Sequence, residues 1–266
     1  MRPSELSAGS IPAAGIETTG GQSRAMEWQV ADERAIAIMF NSVSFAVMMA
    51  TPADLVDLAV GFSLSEAIVA SQVAITGVLA LPTEGGFFVD IATASAIQPR
   101  PRTLEGRSGC GLCGVENIAD AVRRPPLLAP AFALQPAAAA TALRALPAHQ
   151  PMNRINRSVH GAFWCDRHGN ILLAREDVGR HNALDKLIGA LSRQGADFTA
   201  GFVAMTSRCS FELVQKIANV GIAHLVTVSA PTSLALELAR QAGVTLAAAS
   251  RDGVVVFDGS THECTA

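Results

Sequence analysis

Two thiols, Cys110 and Cys113, form a Cys-x-x-Cys frame inside the stretch Gly106-Arg107-Ser108-Gly109-Cys110-Gly111-Leu112-Cys113-Gly114-Val115-Glu116. Gly109, Gly111 and Gly114 strip bulk from around both sulfurs and permit backbone angles closed to other residues, as a loop needs if it must bend and admit a partner. Residues 115–122 carry apolar side chains at helical spacing and predict a short helix directly after the thiols. A helix start carries partial positive charge and Arg107 adds a full one, so the sequence predicts a lowered thiol pKa and a reactive thiolate. The same spacing also fits half of a zinc site, a structural disulfide or inert buried cysteines. Zinc normally takes four ligands, and Cys165, Cys209 and Cys264 supply no second Cys-x-x-Cys.

A second set of chemically capable residues lies in the other half of the chain. There the pattern alternates: strand 201–205, helix 211–219, strand 224–229, helix 232–241, strand 244–248 and strand 254–257. Such alternation predicts a partly parallel sheet with helices over its faces, and ligands of such sheets collect beyond the carboxyl ends of the strands. At one exit stand Thr206-Ser207-Arg208-Cys209-Ser210, whose hydroxyls, arginine and free backbone N–H groups suit an anion. Ala230-Pro231-Thr232-Ser233 mark the next. Each alone reads as an ordinary N-cap; together they point to a phosphate-bearing ligand. The densest polar run is Arg175-Glu176-Asp177-Val178-Gly179-Arg180-His181-Asn182-Ala183-Leu184-Asp185-Lys186. A solvated helix start would explain it, yet Gly179 beside Asp177, Arg180, His181 and Asn182 offers the donors and acceptors a polar headgroup needs. His181 could transfer protons, but a lone histidine reads first as a hydrogen-bonding residue, and so do His160 and His224.

These groups need a frame. Residues 1–25, rich in Ser, Gly, Pro and Thr, read as a disordered tail. Segments 35–40 and 44–49 predict a hairpin, and Thr51-Pro52-Ala53-Asp54 opens a helix by a capping hydroxyl, proline at the first helical position and an acid in the first turn. Gly61 inside that helix costs about 1 kcal/mol relative to alanine, which predicts close packing against another backbone. Strands 77–81 and 86–92, joined by Pro82-Thr83-Glu84-Gly85, complete a small α+β unit; an irregular connection over 93–113 follows. Beyond it come a helix over 137–146, strands 161–165 and 171–174, and a helix over 181–191.

With 266 residues, half of them hydrophobic, the chain can bury a sizeable core. A net charge of -3 without a long basic block argues against general nucleic-acid binding. The arginines at 100, 102, 107, 123 and 124 flank the thiol loop as a solvated surface or a docking patch for an acidic partner. No apolar run reaches membrane-spanning length and the start of the chain lacks a signal-peptide core, so a soluble, reduced, cytoplasmic protein with no membrane partner is expected.

Three separated motifs, Gly-Arg-Ser-Gly-Cys-Gly-Leu-Cys-Gly-Val-Glu from Gly106, Glu-Asp-Val-Gly-Arg-His-Asn-Ala-Leu-Asp-Lys from Glu176 and Gly-Phe-Ser-Leu-Ser-Glu from Gly61, resemble the FdhD/NarQ family of formate dehydrogenase accessory sulfurtransferases. The likeness runs from about residue 30 to 258. It implies a sulfur carrier that takes persulfide sulfur from a cysteine desulfurase and delivers it to the molybdenum cofactor, in its bis(molybdopterin guanine dinucleotide) form, for the formate dehydrogenase catalytic subunit. By motif match Cys110 would bear the persulfide with Cys113 as companion, and Ala249, Ser250, Arg251, Asp252, Gly253 and Val254 would contact the guanine dinucleotide. Gly179, Arg180, His181, Ser207 and Arg208 are the further cofactor-binding candidates. The implied fold is an α/β (α+β), cytidine-deaminase-like mixed sheet with flanking helices plus a smaller N-terminal α+β subdomain, in a homodimer. No catalytic metal is expected: His160-Gly161-Ala162 lacks the glutamate of a deaminase His-x-Glu motif, which disfavours a zinc-dependent deaminase. The expected division is a tail over 1–25, the subdomain over 26–98, a mobile Cys-x-x-Cys loop over 99–114 and the larger domain over 115–266. The competing function is a chaperone that binds the molybdenum cofactor or the apo-dehydrogenase and uses its thiols only to grip metal.

Overall fold

The computed structural model describes residues 9–97 and 125–258. In chain order its strands are β1 (Ser10–Thr19), β2 (Gln22–Ala31), β3 (Arg34–Phe40), β4 (Val43–Ala50), β5 (Ile75–Thr83), β6 (Gly86–Thr93), β7 (His160–Asp166), β8 (Ile171–Asp177), β9 (Gly201–Met205), β10 (His224–Thr227), β11 (Thr245–Ala249) and β12 (Val254–Phe257). The helices are α1 (Leu55–Ser65), α2 (Pro136–Ala145), α3 (Pro151–Asn156), α4 (Arg180–Arg193), α5 (Phe211–Asn219) and α6 (Ser233–Ala242). No described helix is long and apolar enough to cross a membrane.

The larger sheet has the order β12-β11-β10-β9-β7-β8. Its centre, β9-β10-β11, is parallel, and antiparallel partners close both sides. Side chains alternate between its faces with period two. Ala162, Trp164, Val203, Met205, Leu225 and Leu246 pack with α4, α5 and α6, whereas Phe163, Cys165, Phe202, Ala204, Val226 and Ala247 pack against α2. This is the mixed, helix-covered sheet that the alternating pattern predicts.

The smaller sheet, β4-β3-β6-β5, carries α1 on one face. That helix is buried nearly all round because it serves two cores: Leu55, Leu58, Ala59 and Phe62 face the small sheet, Val60 and Leu64 the large one. It reaches the large sheet by crossing α4 at two glycines. A Cβ on Gly61 would sit 1.6 Å from the Asp185 carbonyl oxygen, and one on Gly189 would sit 1.9 Å from that of Asp57. The close approach expected at Gly61 is therefore present, with Gly189 as its counterpart.

Three expectations need correction. Residues 10–25 belong not to a disordered tail but to a two-stranded ribbon, β1 paired with β2 from Ser10↔Ala31 to Thr19↔Gln22. Gly20 and Gly21, with φ of 58° and 80°, make its two-residue turn, and the ribbon is anchored at its base by Asn156 Nδ2 donating to Ser10 Oγ at 2.9 Å and by Arg157 over Trp28. Helix α1 begins at Leu55 with Asp54 in the left-handed region at φ 53°, not at Pro52, because Thr51 is recruited elsewhere. The turn after β5 is only Glu84-Gly85, since the strands run on through Pro82 and Thr83.

Candidate functional site

The chain's polar run from Arg175 to Lys186 divides by destination. Asp177, fully buried at the end of β8, accepts from Thr51 N at 3.0 Å, from Gly179 N at 2.8 Å and from Asn182 Nδ2 at 3.0 Å, and pairs with the equally buried Lys186 Nζ at 2.6 Å. Lys186 also donates to the Thr51 carbonyl at 2.9 Å, and Thr51 Oγ1 accepts from Val178 N at 3.2 Å. Asp185 faces the other way, taking Lys216 Nζ at 2.9 Å and Ser65 Oγ at 2.5 Å. Burial disfavours the Lys216 charge, yet Asp185 and Glu66 hold its pKa well above the ordinary lysine value. Arg175 binds Asp57 of α1 at 2.8 Å, and Glu176 accepts from Met152 N at 2.8 Å and Asn153 N at 2.9 Å, fixing the start of α3. Burial pushes the Glu176 carboxyl up despite those donors. Most of the run is thus the joint between the two sheets, whose paired buried charges would each cost about 3–5 kcal/mol if one partner were removed.

What the joint leaves outward is Gly179, Arg180 and His181 at the start of α4. Gly179 is the N-cap and no side chain caps the first turn. His181 Nε2 lies 2.9 Å from Glu212 Oε2 and 3.5 Å from Ser210 Oγ, which ties α4 to the start of α5. The loop after β9 lies alongside: Thr206 N donates to the Gly161 carbonyl at 3.1 Å and Gly161 N to Thr206 Oγ1 at 2.9 Å. Ser207 is buried, its hydroxyl donating to the Arg208 carbonyl at 3.0 Å, while the Arg208 side chain is exposed. Ser210, the N-cap of α5, makes no capping hydrogen bond; Thr232, starting α6, accepts from Ala235 N at 3.3 Å and is the ordinary cap.

The structure brings Gly179, Arg180, His181, Ser207 and Arg208 to one stretch of the sheet edge. Ala249 to Val254 lie on that edge but apart: Ala249 ends β11, Ser250 N closes the turn onto the Gly253 carbonyl at 2.9 Å, and Val254 begins β12. Ser250, Arg251, Asp252 and Gly253 are all exposed there. Strand β10 separates this turn from β9, and among the described residues no hydrogen bond joins it to Arg180 or His181. Cys110 and Cys113, the whole of the loop expected over 99–114, and the helix expected over 115–122 lie outside the described residues.

Sequence reasoning read His160 only as a hydrogen-bonding residue and passed over Glu212. His160 opens β7 opposite Asp177, half-buried, and burial together with the charges of Arg180 and His181 pushes its pKa down. Glu212 has no signal beyond its place in the first turn of a predicted helix. Cys165 and Cys209 are buried, and desolvation pushes both thiols up to about 12, so neither forms a thiolate near neutrality.

Fold and edge together define a mixed α+β protein with half-buried basic side chains, hydroxyls and two uncapped helix starts at its strand exits, and its sequence carries a Cys-x-x-Cys at 110–113. The chain belongs to the FdhD/NarQ family, whose model matches residues 31–262. It is 49% identical over 238 residues to the sulfur carrier protein FdhD of Chromobacterium violaceum, covering 87% of this chain and 88% of that one. Against the sulfur carrier protein FdhD of Xanthomonas euvesicatoria pv. vesicatoria the identity is 47% over 237 residues, covering 88% and 84%. A crystal structure described as a formate dehydrogenase accessory protein from Desulfotalea psychrophila superposes with a TM-score of 0.75 at 25% identity, covering 95% of this chain and 98% of that one.

Proposed function

We propose that this protein carries sulfur for formate dehydrogenase maturation. The Cys110 thiolate attacks the terminal sulfur of a cysteine desulfurase persulfide; a new S–S bond forms on Cys110 as the donor's S–S bond breaks and its cysteine leaves as thiolate. The S–S bond on Cys110 then breaks, Cys110 keeps the electron pair as thiolate, and the outer sulfur passes as zero-valent sulfur to the molybdenum cofactor in its bis(molybdopterin guanine dinucleotide) form, held as cargo at the strand-exit edge before insertion into the dehydrogenase. Cys113 is the companion thiol, and 249–254 with Gly179, Arg180, His181, Ser207 and Arg208 contact the cargo. Its likeness in layout to a cytidine-deaminase-like fold belongs to the same reading, as does a cytoplasmic setting.

The observation that carries this reading is the chemical silence of the body's other thiols. Cys165 and Cys209, the cysteines among the described residues, are buried with thiols pushed up to about 12, which supports the glycine-rich pair as the sulfur-bearing thiols. Relatives named as sulfur carriers support it. In a strain lacking the native gene, Cys110→Ala is expected to abolish formate dehydrogenase activation while leaving cofactor binding intact. Activation that survives Cys110→Ala would defeat the transfer mechanism and favour a cofactor-holding chaperone.

A further inference from the structure

The small sheet carries α1 on one face, and among the described residues no helix or strand packs on the other. Its strands nevertheless read as continuous apolar runs, Ala35-Ile36-Ala37-Ile38-Met39-Phe40 in β3, Phe45-Ala46-Val47-Met48-Met49-Ala50 in β4 and Val78-Leu79-Ala80-Leu81 in β5. A sheet with one solvated face alternates apolar with polar residues; runs of this kind belong to strands buried on both sides. Ile36, Ile38, Val89 and Ile91 are buried under α1, and their neighbours in sequence point the other way. The register lines those neighbours up across all four strands. Val47, Ala37, Phe88 and Leu81 form one rung, flanked by Met49 and Ala35 on one side and by Met39 and Leu79 on the other. Val47, Met49, Leu79, Leu81 and Phe88 each keep between 42% and 58% of their surface exposed. The one ionisable side chain in these rungs, Asp90, is taken up by Ser42, whose N and Oγ both donate to it at 2.9 Å.

We propose that this open face is the interface between two copies of the chain, packed sheet to sheet about a two-fold axis. Its shape is self-complementary. Strand β3 contributes only the small Ala35 and Ala37, which leaves a trough between Val47 and Met49 on one bank and Phe88 on the other. A two-fold axis that lays Phe88 of each copy in the trough of the other makes the same contact twice, as an isologous interface requires. The area also suffices. A face four strands wide and seven residues long has a footprint of roughly 450 Å² at ordinary strand spacing. Two such faces brought about 10 Å apart bury roughly 1,000 Å² or more, where specific interfaces begin. The rim does not suit a lipid surface: Glu33 and Glu84 are exposed there and Arg34 is paired with Asp32 at 2.7 Å, not the basic fringe that holds anionic headgroups. The large sheet lies beyond α1, on the covered side of the small sheet, so the pairing leaves its strand exits open in both copies. The interface holds whether or not the chain carries sulfur.

The test is sedimentation velocity of the full chain over a concentration series from about 1 to about 100 µM. Wild type is expected as a dimer, and Phe88→Glu and Val47→Glu are each expected to raise its dissociation constant by about thirtyfold or more, the loss of a central apolar anchor. Leu172→Glu, which puts the same charge on an exposed leucine of β8 away from this face, should leave the dimer intact. An unchanged far-ultraviolet circular dichroism spectrum shows that a variant keeps its fold. Hydroxyl-radical footprinting of wild type needs no substitution: Met49 and Phe88 should lose reactivity as the dimer forms, and Leu172 should not. Wild-type protein that stays monomeric at the highest concentration overturns the interface. So does a dimer that withstands both substitutions or leaves Met49 and Phe88 as reactive as in the monomer. Monomeric wild type that sediments with vesicles of phosphatidylcholine and phosphatidylserine would overturn it in favour of a lipid surface.

Discussion

Replacing Gly61 by alanine pits a local gain against a packing loss, and the structure says which wins. In an unconstrained helix the change would stabilise by about 1 kcal/mol. Here the new Cβ would lie 1.6 Å from the Asp185 carbonyl oxygen, 2.6 Å from its carbon and 2.8 Å from Gly189 N, all backbone atoms of α4. Restoring ordinary contact requires the helices to part by about 2 Å. That movement loosens Val60 and Leu64 against Leu184, Leu187 and Ile188, and it stretches Ser65 and Lys216 from Asp185. Overpacking typically costs about 1–3 kcal/mol, and a weakened buried ion pair adds to it, so a net loss of about 2–4 kcal/mol is expected. Urea unfolding of wild type and Gly61→Ala measures it. A neutral or stabilised variant would refute the claim that this crossing is locked backbone to backbone.

Two further outcomes follow from buried titratable groups. In native protein at pH 7.5 a maleimide should label neither Cys165 nor Cys209, and both should label once urea unfolds the chain; rapid native labelling of either would contradict thiols pushed up to about 12. His224 is buried with Nε2 3.0 Å from the Phe132 carbonyl oxygen and Nδ1 unpartnered, and burial lowers its pKa below 6.5. Because the unfolded chain then binds more protons, this stability is present above pH 6.5 and is lost as pH falls below it, by up to about 1.4 kcal/mol per unit for one such histidine. His160, also lowered, acts in the same sense. Denaturant unfolding between pH 5 and 7 should therefore show a shallower acid slope in His224→Gln, and an unchanged slope would exclude His224 as a source.

Elements whose apolar spacing is set locally were legible in the sequence. Helix α5 spans Phe211–Asn219 as its periodicity predicts, and β9, α6 and the β3–β4 hairpin fall within a residue or two of their expected ends. The ribbon β1–β2 was hidden by its composition, since a Ser-, Gly- and Thr-rich segment reads as tail; the signal that could have found it is Gly20-Gly21 between two ten-residue runs. The start of α1 was misplaced for a different reason. Thr51 looked like a cap, but Asp177 and Lys186, more than 120 residues away, take its backbone groups. Long-range pairing also explains why the run 175–186 reads as a ligand site from sequence. Which of its charges turn inward depends on Thr51, Asp57, Ser65 and Lys216, which no local pattern connects to it. The outward remainder, Gly179, Arg180 and His181, was named from sequence together with Ser207 and Arg208, whereas His160 joins them only through the β7–β8 register.

The sulfur-carrier account is tested most directly by mass spectrometry of the purified protein after incubation with a cysteine desulfurase and cysteine, without reductant. The account predicts a sulfur adduct of about 32 Da, the mass of one added sulfur atom, that maps to the Cys110 peptide, is lost on treatment with a thiol reductant and is absent from Cys110→Ala. Retained zinc with no sulfur on Cys110 would contradict it and make the two thiols metal ligands.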